Sequence, residues 1–277
     1  MMRKTFSLFC PVLCGLMLLS APVFAAVPAV PQDGNDQPVE ISAAQSLEWN
    51  RKAKTYTARK DAVARQGDMQ VKSDTMTAHY DETKGATEIT RLVASGNVEI
   101  SSPPYTAYGN LAEYDVATQT ASLTGDDLRM VTPEEVLTAA EKIEFDAVHN
   151  KLSAIGKAMA RRGTDSLSSE RLDAYFMRTP QGKTVLQRIT ADSTVTIKTA
   201  RETVTGSKGV YDAATGKAVL TGNVRIYQGE NWITGERAEV NLKTGISQLF
   251  APARNTENPE EPPRVRGVFF PKKRSDR

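Results

Sequence analysis

The stretch YDVATQTASLTG at residues 114–125 decides the fold of this chain, because it recurs without a gap as YDAATGKAVLTG at residues 211–222. Eight of the 12 aligned positions are identical. In each copy an aromatic residue and an aspartate come first, and a glycine follows eleven positions after the aromatic residue. Such self-similarity indicates that one structural unit is used several times.

Further copies of the pattern cover most of the chain. A second match, GNVEI at 96–100 against GNVRI at 222–226, supports the same register. Successive copies are separated by 31, 34, 31, 30, 36 and 29 residues. The copies begin at Trp49, Tyr80, Tyr114, Phe145, Tyr175, Tyr211 and Val240.

Apolar and polar residues alternate inside each unit, as Val98 and Ile100 do, and this period is typical of a β-strand with one buried face. Turn sequences rich in Asp, Thr and Gly separate the alternating stretches. Gly125, Gly156 and Gly222 occupy equivalent positions and predict a bend, a bulge or a second turn. We therefore predict an all-β fold built from hairpin repeats of about thirty residues, with fourteen or more short strands.

One segment has helical propensity, the run PEEVLTAA that begins at Pro133. The repeat register instead predicts a turn at Thr132–Glu135 and a strand at 138–145. No other segment competes with a β assignment.

The two ends of the chain differ from the repeat. Arg3 and Lys4 precede an uncharged apolar run, and a small residue at Ala25 suits cleavage by a signal peptidase. We expect a signal peptide at 1–25, with a retained membrane anchor as the alternative. Four segments follow from this interpretation: the signal peptide 1–25, a flexible linker 26–40, the β domain 41–252, and a disordered tail 253–277 that is rich in Pro and Glu and then basic.

Composition excludes several classes of function. Both cysteines, Cys10 and Cys14, lie inside the expected signal peptide, which leaves no thiol for a disulfide, for catalysis or for a metal site. The whole chain has 35 basic and 33 acidic residues, and its last 14 residues hold six basic residues against one acidic residue. The body therefore has no basic excess, which argues against a nucleic-acid partner.

The polar residues that could carry chemistry are isolated. His79 and His149 each stand alone next to a predicted turn. Asp115, Asp146 and Asp212 follow the aromatic residues of the repeat, where a carboxylate accepts backbone N–H groups in an Asx-type turn. We predict no catalytic residue, no metal site and no cofactor.

The apolar faces of the strands are lean, because Ala, Thr and Ser recur at the inward positions. They could fill a plain core, or they could leave a groove between two faces. If a groove exists, the residues expected to line this apolar trough are Val98, Ile100, Tyr114, Leu123, Ile143, Phe145, Val195, Ile197, Val224, Ile226, Val240 and Leu249.

Several motifs resemble the OstA-like domain of lipopolysaccharide-transport proteins. They are LTGNVRI at 220–226, GERAEVN at 235–241 and the opening LEWN at 47–50, and the similarity covers roughly residues 40–252. The resemblance implies a twisted, slit-like antiparallel β-jellyroll that cradles acyl chains, and it assigns no catalytic residue. Within the family, the layout is most similar to the periplasmic bridge member, which carries lipopolysaccharide from the inner to the outer membrane.

A slit that does not close leaves free edge strands, which attract a neighbouring strand. We expect edges near Ala43–Trp49 and Val240–Leu249. The expected partners are lipopolysaccharide, the inner- and outer-membrane OstA-like proteins, and further copies of the chain stacked head to tail. Three alternatives remain open: a membrane-associated partner of the same pathway, an enzyme or binding protein that acts on polysaccharides, and a structural β-repeat protein.

Overall fold

A computed structural model describes residues 39–83, 86–241, 244, 246–252 and 264–270. The signal peptide expected at 1–25, most of the expected linker, and residues 253–263 and 271–277 of the expected tail lie outside the described residues. The part of the chain that is described forms 18 β-strands, and it contains no helix long and apolar enough to cross a membrane. The strands are β1 (Glu40–Ser42), β2 (Ser46–Asn50), β3 (Thr55–Gln66), β4 (Met69–Thr83), β5 (Ala86–Ser102), β6 (Tyr105–Asp115), β7 (Thr120–Thr124), β8 (Arg129–Val131), β9 (Glu135–Thr138), β10 (Lys142–Asp146), β11 (Lys151–Arg162), β12 (Asp165–Arg178), β13 (Thr184–Lys198), β14 (Thr203–Asp212), β15 (Lys217–Gln228), β16 (Asn231–Asn241), β17 (Ile246–Phe250) and β18 (Arg266–Val268).

Each strand pairs antiparallel with strands that are close to it in the sequence. From β3 to β6 and from β11 to β16, every long strand pairs with the next one. The short strands form four pairs. The two members of each pair bond to different halves of the neighbouring strand, so that each pair occupies the place of one long strand in this order; the pairs are β1/β2, β7/β8, β9/β10 and β17/β18. The described strands therefore form a single meander, as the hairpin repeat predicts.

A line of bulges, here called the seam, crosses the meander. The pairing register shifts in the middle of almost every long strand, for example between Ile155 and Ala158 and between Thr221 and Val224. On one side of each shift, two consecutive residues have positive φ, as at Gly222 (81°) and Asn223 (50°). Two left-handed residues in a row bend the strand sharply. The feature predicted at Gly156 and Gly222 is thus a bulge, whereas Gly125 (φ 142°) lies in the connection between β7 and β8.

The seam divides the meander into two layers. The front layer contains β1, β8, β9 and β18 with the half-strands beside them, and the back layer contains β2, β7, β10 and β17 with the other half-strands. Ile100 and Val71 of the front layer line the same cavity as Tyr114 and Phe145 of the back layer, so the two layers face each other. The molecule is a slit-like antiparallel β-jellyroll.

The structure differs from two local predictions. The strand expected at 138–145 is interrupted: β9 ends at Thr138 and β10 begins at Lys142, because the seam passes between them. The turn at Thr132–Glu135 is present, with the Thr132 N–H donating to the Glu135 carbonyl at 2.9 Å. In the segment expected to be a disordered tail, β18 pairs with β16 at Trp232–Thr234.

Small residues dominate the interior at the seam. Ala62, Ala158 and Val224 have no exposed surface, and they belong to one apolar cluster that runs from β3 to β16. The layers approach each other closely where these residues lie. Away from the seam the layers diverge, and larger side chains leave space between them.

Candidate functional site

The space between the layers forms two apolar chambers, with a smaller apolar cavity between them in the order of the strands. The N-terminal chamber has a cavity volume of about 170 Å³ and is bounded by β3 to β8, β10 and β11. The C-terminal chamber, between β13 and β18, has a cavity volume of about 60 Å³. Apolar side chains from both layers line each chamber.

A constriction of about 20 Å³ lies between the two chambers. Leu152 lines both the constriction and the N-terminal chamber. Ala154, Ala160 and Ala174 contribute only methyl groups to its walls, and Ile189 lies on its C-terminal side. One cluster of buried apolar side chains extends past the constriction from β3 to β16, so the interior is apolar along the direction in which the strands succeed one another.

Nine of the twelve residues predicted from the sequence line a chamber, and the site they form is therefore divided in two. Their role in binding lipid stays a prediction. Ile100, Tyr114, Leu123, Ile143 and Phe145 line the N-terminal chamber, and Ile197, Ile226, Val240 and Leu249 line the C-terminal chamber.

The other three predicted residues lie in the closed core. Val98, Val195 and Val224 are 2%, 1% and 0% exposed, and none of them is among the residues that line the chambers. Each directly follows a pair of left-handed residues at the seam. The layers converge there, so these side chains pack against the opposite layer instead of facing free space.

Sequence reasoning missed several lining residues. Leu92 lies opposite Tyr114 across the β5–β6 pair, and it lines the N-terminal chamber with Met76. Its inward position depends on the pairing register, which the alternation within one strand does not specify. Phe269, beyond β18, lines the C-terminal chamber and carried no signal because it lies in the basic tail.

An aromatic cluster lies on β2, β3 and β4, at the N-terminal end of the meander. The indole N–H of Trp49 donates a hydrogen bond to the hydroxyl of Tyr80 at 2.8 Å. The ring of Tyr56 stacks on that of Trp49 at 5.7 Å and contacts that of Tyr80 at 5.0 Å. Tyr80 is buried, whereas Trp49 is 51% exposed. The guanidinium of Arg51 lies over the Trp49 ring at 4.2 Å, so a cation partly covers the exposed member of the cluster.

In the fifth copy of the repeat, the buried aromatic residue lies one position after the one predicted to begin the copy. Phe176 is buried in the interior, whereas the ring of Tyr175 lies under the guanidinium of Arg188 at 4.7 Å. The register of β12 against β13 shifts between these two aromatic residues. The extra residue is Gln187 of β13, and the alternation of β12 itself places Phe176 inward with Leu172 and Ala174 and Tyr175 outward.

The carboxylates of the repeat are turn residues, as predicted. Asp115 accepts hydrogen bonds from the backbone N–H and the hydroxyl of Thr118 at 2.8 and 2.9 Å. These hydrogen bonds lower the pKa of Asp115. Asp212 accepts the same pair from Thr215, both at 2.7 Å. Among the described residues, no group of three or more His, Cys, Asp and Glu residues could hold a metal ion.

Two polar side chains in the C-terminal chamber are exceptions to its apolar lining. Glu202 is 9% exposed, and no described group lies within hydrogen-bonding distance of its Oε1 atom. Burial raises the pKa of Glu202. The hydroxyl of Ser247 also makes no hydrogen bond with any described residue. A buried polar group without a partner destabilises a protein by about 1–3 kcal/mol, so both atoms can gain from a ligand.

Both ends of the meander have an unpaired side among the described strands. β1 and β2 pair with β3, and at the other end β17 and β18 pair with β16. The first end coincides with the edge expected at Ala43–Trp49. At the second end, Val240 belongs to β16, and the edge strand in this region begins at Ile246.

One family model matches most of this chain. A family model described as "LptA/(LptD N-terminal domain) LPS transport protein" matches residues 40–151 and 137–246. Among solved structures, the chain is similar to LptH from Pseudomonas aeruginosa, described as the LptA homologous periplasmic component of the lipopolysaccharide transport device. The two are 15% identical, with 86% of this chain and 98% of that chain covered, and the TM-score is 0.21.

No curated protein sequence matches this chain. The two matches to the family model overlap and together span the strands from β1 to the start of β17. They cover more than half of the chain and include most of the residues that line both chambers. The chain belongs to the LptA/LptD N-terminal domain family of lipopolysaccharide transport proteins.

Proposed function

We propose that this protein is a periplasmic bridge that binds lipopolysaccharide in its slit and carries it from the inner to the outer membrane. The observation that supports the proposal most is the apolar interior, which runs between two layers from the N-terminal chamber to the C-terminal chamber. The family membership agrees with lipopolysaccharide as the cargo. Export through the expected signal peptide would place the protein in the periplasm.

The chemistry of the slit suits acyl chains. Transfer of one CH₂ group out of water contributes about 0.8 kcal/mol, so a chain of ten or more carbons needs a long apolar path once it leaves a membrane. The lining by Ile100, Tyr114 and Ile226 supplies such a path on both sides of the constriction. The polar sugars of the cargo can remain in water at the open side of the slit.

The unpaired ends of the meander support an assembly of several proteins. An exposed edge strand can accept a strand from another molecule, and a contact between two different edges is a head-to-tail contact. We propose that β2 of one molecule meets β17 of another, and that the same edges accept the inner- and outer-membrane partners. Stacked molecules would extend the apolar path across the periplasm.

Photo-cross-linking tests the cargo and its location. A photoreactive residue at Ile100, Tyr114, Ile226 or Val240 should form an adduct with lipopolysaccharide in intact cells, detected by mass shift and by antibody. Arg225 is the matched control because it neighbours Ile226 but is exposed on the outer face. Equal adducts at Ile226 and Arg225, or none at the four inward positions, would contradict the proposal.

A further inference from the structure

The C-terminal chamber contains a buried carboxyl group that the transport of plain alkyl chains does not require. Glu202 lies in the turn between β13 and β14, at the tip of the front layer. The Thr199 N–H donates to the Glu202 carbonyl at 2.9 Å, and the Glu202 N–H donates to the Thr199 hydroxyl at 3.2 Å. These two hydrogen bonds hold the backbone of Glu202 in place.

The strand that follows the turn directs the side chain inward. Val204 is 5% exposed and faces the interior, and Glu202 lies two positions before it, on the same face. The Glu202 side chain lines the C-terminal chamber beside Val204 and Ile197. Its Oε1 atom has no hydrogen-bond partner among the described residues.

We propose that Glu202 forms a hydrogen bond with a hydroxyl group carried by an alkyl chain bound in the C-terminal chamber. This inference rests on the proposed function, and it specifies the class of chain that the chamber selects. A hydroxyl suits the site because it both donates and accepts a hydrogen bond, and because it brings no charge into an apolar space. Ser247, whose hydroxyl lines the same chamber, offers a second polar contact on the opposite layer.

The expected selectivity follows from the asymmetry of buried hydrogen bonds. A plain chain in the chamber leaves the Glu202 Oε1 atom without a partner, whereas a hydroxylated chain can satisfy it. One hydrogen bond of this kind corresponds to about a three- to tenfold difference in affinity. The chamber should therefore prefer hydroxylated chains to plain chains of the same length.

Tryptophan fluorescence provides a direct measurement. The chain has two tryptophans, and Trp232 lines the C-terminal chamber. In a Trp49→Phe background, Trp232 emission reports binding at this chamber. The probes are methyl tetradecanoate and its 2-, 3- and 12-hydroxy derivatives, all uncharged, and the different hydroxyl positions locate the contact along the chain.

The matched variants are Glu202→Met and Glu135→Met. Glu135 occupies an equivalent turn, in which its N–H donates to the Thr132 hydroxyl at 3.0 Å, but it does not line the C-terminal chamber. We expect at least one hydroxylated ester to bind about three- to tenfold more tightly than the plain ester. This preference should persist in Glu135→Met and in Glu202→Gln, and it should disappear in Glu202→Met.

Equal affinities of the unsubstituted protein for all the esters would overturn the inference, and so would a preference that survives Glu202→Met. If Glu202→Met does not fold, the comparison of esters on the unsubstituted protein still decides the matter. The proposed function fails separately, when the photo-cross-linking at Ile100 and Ile226 gives no lipopolysaccharide adduct. A normal adduct with equal ester affinities rejects only the role of Glu202.

Discussion

Individual residues at the seam hold the two layers of the jellyroll at their mutual angle. Glycine fills the first left-handed position at Gly96, Gly156 and Gly222, where it has no Cβ to strain the backbone. In β13 the same positions are taken by Ser193 (φ 67°) and Thr194 (φ 56°). The bend is therefore imposed by the packing of the whole meander, and glycine only makes it easier.

Substitution of Gly222 tests this view. A Cβ at this position would lie 2.5 Å from the Ser207 hydroxyl oxygen, at a backbone φ of 81°. We expect Gly222→Ala to lower the free energy of unfolding by about 1–3 kcal/mol, measured by urea denaturation. Gly206→Ala is the control, because its φ is not left-handed and its nearest contact would be 3.4 Å away. Equal stability of the two variants would show that the seam tolerates a side chain at residue 222.

A buried ion pair on the outer face of the back layer gives a pH-dependent prediction. Asp173 accepts hydrogen bonds from the Ser153 hydroxyl at 2.6 Å and from Arg171 Nε at 2.8 Å. Burial alone would raise the pKa of Asp173, but these hydrogen bonds outweigh it and lower the pKa below 3.8. A lowered carboxyl pKa stabilises the fold above about pH 4, and this contribution is lost as the pH falls through the folded-state pKa.

We therefore expect Asp173→Asn to destabilise the protein by about 1–3 kcal/mol at pH 7 and by less as the pH falls below 3.8. Urea denaturation at a series of pH values from 7 down to 3 measures both effects. Asp192→Asn is the control, since Asp192 forms an exposed ion pair with Lys208 at 3.6 Å. A difference between the two variants that does not change with pH would contradict this assignment.

Sequence patterns predicted turn residues better than lining residues. The Asp115 turn and the Gly222 bend follow from local chemistry, which a short window of sequence contains. The position of Val224 does not, because the closure of the layers around it depends on side chains from strands far away in the chain. Tyr175 is a different case, because the alternation of Leu172, Ala174 and Phe176 within β12 already places Tyr175 on the outer face.

At the scale of elements, the order and pairing of the strands were predictable from the hairpin repeat. The positions at which the strands are interrupted were not predictable from the repeat. β9 and β10 read as one alternating stretch, and only the seam divides them at 139–141. β18 was not predicted either, because three residues pair with β16 through their backbone, which a basic and flexible composition does not reveal.

The edge strand β2 offers a test of assembly through strand addition. Along an edge strand, alternate N–H groups point towards the neighbour and towards solvent. Of the two single variants Leu47→Pro and Glu48→Pro, one therefore removes a solvent-facing N–H and the other removes an N–H that bonds to β3. We expect the variant that removes the solvent-facing N–H to weaken self-association about fivefold or more, without loss of monomer stability.

Analytical ultracentrifugation measures the association, and thermal unfolding at low concentration measures the monomer. The other proline variant is the internal control, since it should lower both properties. Unchanged association in both variants would exclude β2 as a contact edge.

At the scale of the whole molecule, the division of the slit into two chambers could not be predicted. The sequence showed that Ala and Thr recur at inward positions, which left both a filled core and a groove open. The free volume depends on the sum of all side chains between the layers, and the alanines of the constriction carry no signal that distinguishes them from those at the seam.

Passage through the constriction should be sensitive to side-chain size. Ala160→Phe places a ring in the constriction at a destabilisation of about 1–3 kcal/mol. We expect photo-adducts to persist at one of Ile100 and Ile226 and to fall several-fold at the other, depending on the end at which lipid enters. Met159→Phe is the control, because Met159 is the exposed neighbour of Ala160. Equal adducts at both positions in Ala160→Phe would mean that lipid does not pass through this region.

The pairing of each strand with its neighbours in the sequence has a consequence for how the protein folds. In a meander, no strand has to wait for a distant segment of the chain before it finds its partner. Contacts of low sequence separation favour rapid folding, because short loops lose little entropy on closure. The chain can therefore grow hairpin by hairpin, so that the growing sheet has only two exposed edges at any moment, the first strand and the newest one. The edge that remains when the last strand has paired would then be the same kind of edge that the proposed assembly uses to add a strand from a second molecule.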